Sequence, residues 1–199
     1  MSFRKEFKFR LTVSEQAGFR NWLIDQGMKH LYPARRINSD YFDTLDLRMF
    51  NESEEGILPR KKVRIRWYRD SAKGAIETKF SSEEGRFKTT TPLHGQLRGT
   101  GQAQSFNDQH YGYLIPTLNV TYLREYFQLG EVRITLDSNI EYLNLRRMVK
   151  VKRRDSERVV EVKTSIETPD DFVRKLIPYP TARFSKYCRG VLSCYGEAF

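Results

Sequence analysis

The chain has 199 residues, 39% of them apolar and 13% aromatic, with a formal net charge of +10 and a pI near 9.6. That length suits one domain with a sizeable core, and the aromatic content excludes a disordered polyelectrolyte. The cationic balance points to a polyanionic partner: nucleic acid, phospholipid headgroups or a phosphorylated small molecule.

Residues 3–12 read as a strand, with Phe3, Phe7 and Phe9 on one parity. The charged start lacks the apolar core of a signal peptide, and no run is long enough to span a membrane, so a soluble, cytoplasmic protein is expected. Ser14 is placed to cap a helix over about 15–27, with Phe19, Trp22 and Leu23 on its inner face and Gly27 at its end. SDYFDT at 39–44 is a short strand, and the Gly-, Pro- and acid-containing stretch 51–60 a loop. Strands follow at about 61–69 and 74–81, joined by a turn at 71–74, and a shorter one at 85–91. Residues 92–113, rich in Gly, Gln, Ser and Asn, read as a loop with short helical pieces. Strands resume at about 117–127 and 131–138 around Gly130, then a hairpin at 139–152 and 157–165. Thr168 is expected to cap a helix that begins at Pro169, with Asp170 and Asp171 in its first turn where the dipole favours them. A last helix at 184–195 places Phe184, Cys188, Val191, Leu192 and Tyr195 on one side. The class is α+β, an antiparallel sheet with a few helices in a single domain over 1–199.

The strands share a pattern. One parity is apolar and the other is charged, and the charges are mostly Arg and Lys with isolated glutamates two positions from a lysine, as at Glu6-Lys8, Glu77-Lys79 and Glu161-Lys163. A solvated outer face explains any single strand. Taken together, the strands suggest a barrel with its charged face inward. Two like charges about 6 Å apart repel by roughly 3 kcal/mol at an effective dielectric of about 20, so such a lumen calls for a polyanion. The glutamates could hold Mg2+ or Mn2+ beside it. The aromatics take the parity opposite the charges, which argues against a nucleic-acid surface with stacking positions.

The motifs EFKF (6–9), SDYFDT (39–44), VRIR (63–66), ETK (77–79), YLREYFQL (122–129), VRITLD (132–137), VEVK (160–163) and FSKY (184–187) run through nearly the whole chain. In that order they resemble the VTC domain, a polyphosphate polymerase of the triphosphate tunnel metalloenzyme (CYTH-like) superfamily. The resemblance implies a closed antiparallel barrel enclosing a basic tunnel. It implies that Lys8, Arg64, Arg66, Lys79 and Lys88 contact nucleotide phosphates, and that Tyr122, Arg124 and Arg133 meet the transferring phosphoryl group or product. Arg183, Ser185 and Lys186 match the motif that closes on polyphosphate, Lys163 joins the substrate-binding residues, and Glu161, with Glu6 or Glu77, holds the metal. The superfamily's ExExK opening has Arg4 in place of its first glutamate, a loss that VTC domains share.

The function so implied is polyphosphate synthesis from a nucleoside triphosphate. The same residues would serve a triphosphatase, with water as acceptor, or a polyanion-binding module without catalysis. The phosphate-sensing domain and membrane segments of eukaryotic members are not expected on this chain. Asp137 is expected to pair with Arg133, Lys163 with Glu161, and the cluster Lys150, Lys152, Arg153, Arg154 to form a charged hairpin tip. Tyr41, Tyr68 and Tyr126 read as core or rim, Cys188 and Cys194 as core thiols, and His30, His94 and His110 have no assigned role.

Overall fold

The alternation of Phe7, Phe9 and Leu11 with Glu6, Lys8 and Arg10 gives a strand, β1 (Arg4–Leu11). The computed structural model describes residues 4–68, 74–93 and 104–196. Phe3, His94, most of the turn at 71–74 and much of the Gln- and Gly-rich segment lie outside the described residues.

Helix α1 (Val13–Asp25) follows. Its cap is Thr12, not Ser14. The Thr12 hydroxyl accepts from the Glu15 backbone N–H at 3.3 Å, and the Thr12 backbone N–H donates to the Glu15 carboxylate at 2.6 Å, a reciprocal capping box. Gly27, at φ +76°, lets the chain leave the helix. The expected short strand is the buried end of a much longer one, β2 (Lys29–Asp43), whose first half is largely exposed and shows no apolar alternation.

The expected loop at 51–60 is instead half helix, α2 (Arg48–Glu55). Its N-terminal amides are satisfied from outside the helix. The Asp43 carboxylate accepts from the backbone N–H of Thr44, Met49 and Phe50 at 2.8–2.9 Å. Leu47 just before it is left-handed, at φ +59°, with its side chain buried.

Then come β3 (Arg60–Tyr68), β4 (Gly74–Ser82), β5 (Gly85–Pro92), β6 (Phe106–Asp108), β7 (Gly112–Leu129), β8 (Val132–Asn144), β9 (Lys152–Arg154) and β10 (Arg158–Ser165). β6 takes the place of a helical piece in the polar segment. Helix α3 (Asp170–Leu176) has Pro169 as its cap and carries the expected acidic first turn, without a side-chain cap from Thr168. Helix α4 (Lys186–Tyr195) is capped by Ser185 and buries Tyr187, Cys188, Val191, Cys194 and Tyr195, while Leu192 faces solvent and Phe184 precedes the helix.

The described strands form one path, β1-β10-β8-β7-β2-β3-β4-β5, with β6 on β7 and β9 on β8. Among the described residues this is an open antiparallel sheet with four helices, not the closed barrel expected. The reason is visible at the first end. The edge of β1 away from β10 is already used: Phe9 bridges to Thr181, and the Ala182 N–H donates to the Lys8 carbonyl at 2.8 Å. At the other end, β5 is exposed from Arg86 to Pro92 and has no apolar face to bury.

Two compact units divide the chain: Met1–Arg35, Tyr122–Ile140 and Asp155–Phe184 in the first; Arg36–Thr121, Glu141–Arg154 and Ser185–Phe199 in the second. The first has a core of Phe9, Leu11, Phe19, Leu23, Phe127, Ile134, Leu136, Val160, Val162, Val173 and Ile177. The second packs Phe42, Met49, Val63, Ile65, Trp67 and Leu114. Each buried side chain contributes about 1.5–3 kcal/mol, enough to fix strand parity. With the apolar parity committed to these cores, the charged parity is gathered on the opposite face of each unit's strands.

Candidate functional site

In the second unit, the register sets side chains in rows across the strands. Tyr41 of β2 faces Arg64 of β3, which faces Glu77 of β4. One row along, Lys62, Lys79 and Lys88 lie opposite one another on β3, β4 and β5. Like charges directly opposed in a sheet repel; here Lys88 pairs with Glu77 and Lys62 donates to Ser185.

Glu77 is the anion of this cluster, and it is only 5% exposed. Arg64 donates to it through Nε at 2.8 Å and Nη2 at 2.6 Å, Lys88 Nζ lies 2.5 Å away, and Arg66 Nη1 3.6 Å away. Burial alone would raise its carboxyl. The Arg64 and Arg66 guanidiniums and the Lys88 ammonium outweigh that and hold it down at about 2. Arg64 also donates from Nη1 to the Tyr41 hydroxyl at 2.7 Å. Burial pushes the Tyr41 phenol up, but Arg64, Arg66 and Lys186 bring it below its ordinary value.

The FSKY segment supports the same cluster. Ser185 accepts from the Cys188 backbone N–H at 3.3 Å, capping α4, and from Lys62 Nζ at 3.0 Å. Tyr187 stacks on Tyr41, with ring centroids 5.0 Å apart, and donates its hydroxyl to the buried Asp43. An open hollow of about 420 Å³ lies beside Arg66 and Glu77, lined also by Tyr68, Ala75, Thr90 and Pro92.

The first unit carries a second cluster, on β1, β10, β8 and the end of β7. Glu6 faces Lys163, which faces Arg133; Lys8 faces Glu161, which faces Thr135. Lys163 Nζ lies 2.9 Å from Glu161 and 3.9 Å from Glu6, and Lys8 Nζ lies 3.4 Å from Glu6. Lys8 also donates to the Phe184 carbonyl at 3.0 Å. Burial raises the Glu161 carboxyl, but Arg124, Lys163 and Lys8 pull it well below the usual carboxylate range.

Asp137 pairs with Arg124, not with Arg133. Arg124 donates Nε and Nη2 to its two oxygens at 2.6 and 2.7 Å, a bidentate pair with Asp137 fully buried. Burial works against the Arg124 charge, yet Asp137 raises its pKa well above the ordinary value. Tyr122 is buried, with the Arg124 guanidinium 5.3 Å above its ring. Arg133 and Arg183 are exposed.

The expected residues therefore gather in two groups. Arg64, Arg66, Glu77, Lys79, Lys88, Ser185 and Lys186 belong to the second unit; Glu6, Lys8, Tyr122, Arg124, Arg133, Glu161, Lys163 and Arg183 to the first. Three further residues belong with them. Tyr41 and Lys62 join the second group, and Thr135, whose buried hydroxyl lacks a hydrogen-bond partner, sits across from Glu161 in the first. Tyr41 lies inside the SDYFDT motif, and Lys62 shares the parity of Arg64 and Arg66, so both had a signal.

As to metal, the described residues hold no group of three or more His, Cys, Asp or Glu that could form an all-protein cage. Magnesium and manganese commonly need only one or two carboxylates, with phosphate and water completing the shell. Glu6 and Glu161, on neighbouring strands with a shared lysine and the unpartnered Thr135 hydroxyl beside them, fit that donor set. Glu77 does not fit it here, because three cations already occupy its oxygens.

The chain matches the VTC domain over residues 3–195. No curated protein matches it by sequence. Among solved structures it resembles a candidate adenylate cyclase from Vibrio parahaemolyticus, at 15% identity and a TM-score of 0.55, covering 97% of this chain and 99% of that one. A candidate adenylyl cyclase from Hippeastrum, described as revealing a dominant triphosphatase activity, is 16% identical with a TM-score of 0.55, covering 96% of this chain and 97% of that one. A conserved hypothetical protein from Pyrococcus furiosus has a TM-score of 0.57 at 12% identity, covering 94% of this chain and 99% of that one. At these identities the likeness speaks for the fold.

Proposed function

This chain belongs to the VTC domain family, and from that premise we propose that it catalyses metal-dependent phosphoryl transfer, lengthening polyphosphate at the expense of a nucleoside triphosphate. The observation that carries the reading is the density of cations in the second unit's cluster. Arg64, Arg66 and Lys88 converge on buried Glu77, and Lys62, Lys79 and Lys88 face one another across β3, β4 and β5. Such a face suits a chain of phosphates.

In this reading Glu77 and Tyr41 position rather than react. They hold the Arg64 guanidinium in one orientation, so that the cationic face is preorganised before substrate arrives. Lys62, Lys79, Lys88 and Lys186 bind phosphate oxygens. In the first unit, Asp137 fixes Arg124, and Lys8, Arg133, Lys163 and Arg183 present further cations to phosphate; in the second, Ser185 contacts phosphate from the closing motif. Glu6 and Glu161 would hold Mg2+ or Mn2+, which would neutralise phosphate charge and polarise the phosphoryl group. The terminal oxygen of the acceptor phosphate forms the new P–O bond as the bond to the departing nucleoside diphosphate breaks. No side-chain nucleophile is required.

A second reading has water as the acceptor, giving a triphosphatase; the activity described for the Hippeastrum neighbour favours it. Both readings need the cluster to bind phosphates. Calorimetric titration with tripolyphosphate tests that need. We expect saturable binding that weakens by about tenfold or more in the Lys79→Ala/Lys88→Ala double variant and falls with added salt. Absence of binding by the unaltered protein, or equal binding by the variant, would overturn the assignment.

A further inference from the structure

The connection between β8 and β9 reads LRRMVKV at 145–151, followed by KRR in β9. Met148 is 100% exposed and Val149 79%. A third apolar side chain, Leu45, is 80% exposed on the loop before α2, and Arg146 donates to the Leu45 carbonyl, tying the two loops together. All of these residues belong to the second unit.

The segment 145–154 carries six cations, Arg146, Arg147, Lys150, Lys152, Arg153 and Arg154, and no acid. Glu141 lies 3.2 Å from Lys152, 4.0 Å from Arg154 and 3.1 Å from Arg36, and Asp46 is exposed next to Leu45. The backbone of the tip is tethered: Lys150 donates to the Leu145 carbonyl at 2.8 Å, and the Arg147 guanidinium sits 5.3 Å over the Tyr195 ring.

The geometry points to this tip as a docking site for an anionic phospholipid bilayer, with Leu45, Met148 and Val149 entering the boundary between headgroups and acyl chains and the cations meeting the lipid phosphates. The shape decides among polyanions. Full exposure of Met148 describes a projecting side chain, not one seated in a groove. Nucleic acid would use exposed aromatic rings for stacking, and Tyr195, the ring beside Arg147, is buried. Free polyphosphate would engage the cations but leaves no role for three exposed apolar side chains. A bilayer takes both, since apolar insertion and attraction to anionic lipid reinforce each other. None of its residues is among those assigned to phosphoryl transfer.

The test is vesicle co-sedimentation of the full chain. Vesicles of phosphatidylcholine containing about 30 mol% phosphatidylserine should pellet it, and neutral phosphatidylcholine vesicles should not. The Leu45→Ser/Met148→Ser/Val149→Ser variant keeps every cation, yet should partition at least about tenfold more weakly. A Met148→Trp variant should gain, over the unaltered protein, an indole emission that shifts to the blue on anionic vesicles and is quenched by brominated lipid. Pelleting of the serine variant equal to that of the unaltered protein would assign the attraction to charge without apolar insertion and overturn the proposal. So would an added indole emission that vesicles leave unchanged, or failure of the unaltered protein to pellet. All three apolar sites are exposed, so folding should be preserved, with circular dichroism as the check.

Discussion

Replacing Glu77 with glutamine removes the anion that Arg64, Arg66 and Lys88 share, with almost no change in size. Its carboxyl falls from an ordinary 4.5 to about 2 in the folded protein. At about 1.36 kcal/mol per pH unit, that fall is worth about 3 kcal/mol. The exposure of Lys88 makes this an upper bound. A depressed acid stabilises the fold above its unfolded pKa. The contribution is therefore complete above about pH 4.5 and is lost as pH drops toward 2. With a urea slope of about 2 kcal/mol per molar, Glu77→Gln should lower the unfolding midpoint at pH 7 by about 1–1.5 M. The loss should shrink on acidification through that window. Tripolyphosphate brings negative charge back to the cluster, so it should raise the melting temperature more in the variant than in the unaltered protein. A midpoint that does not move would refute the electrostatic argument. A thermal shift no larger in the variant would refute the assignment of this cluster to phosphate.

Other substitutions probe the supports. Asp137→Asn leaves Arg124 buried opposite a neutral partner and should cost about 3 kcal/mol in denaturant unfolding, whereas charge reversal at the exposed Arg133 should hardly alter stability. Gly190→Ala would press a methyl into Leu118 Cδ2 and set it 2.6 Å from Tyr142 Cδ1, so α4 must shift; about 1–3 kcal/mol of destabilisation is expected from the same experiment. Tyr187→Phe removes the hydroxyl that donates to buried Asp43 and should lower stability by about 1–3 kcal/mol, read as a fall in melting temperature.

How much of this was legible beforehand depended on what local pattern can carry. Strands β1, β3, β4 and β10 set charged residues mainly on one parity and apolar ones mainly on the other, so both their existence and their charged parity could be read. The first half of β2 is mostly exposed on both parities and carries no such signal. Helix α2 was hidden because its cap, Asp43, lies several residues upstream at the end of a strand, and because Leu47 breaks the pattern with a left-handed backbone. The Asp137 partner was misread for a related reason. Spacing along β8 places Arg133 and Asp137 on one parity, but the cross-strand neighbour supplies the nearer guanidinium, and a single strand says nothing about register. Barrel closure is likewise a property of edges, and the segment at 181–182 that occupies the β1 edge looks like ordinary loop in sequence. The proposed site residues are named one by one by the motifs. Their pairing, with Glu77 held by three cations and Glu161 beside Lys163, emerges only from register.

The central claim is phosphoryl transfer onto a growing phosphate chain, and phosphorus NMR of the protein with ATP and Mn2+ tests it most directly, with Glu161→Ala alongside. We expect an internal polyphosphate signal that grows with time in the unaltered protein and is absent in the variant. Orthophosphate without polymer would move the activity to a triphosphatase, and ATP left intact by the unaltered protein would contradict catalysis altogether.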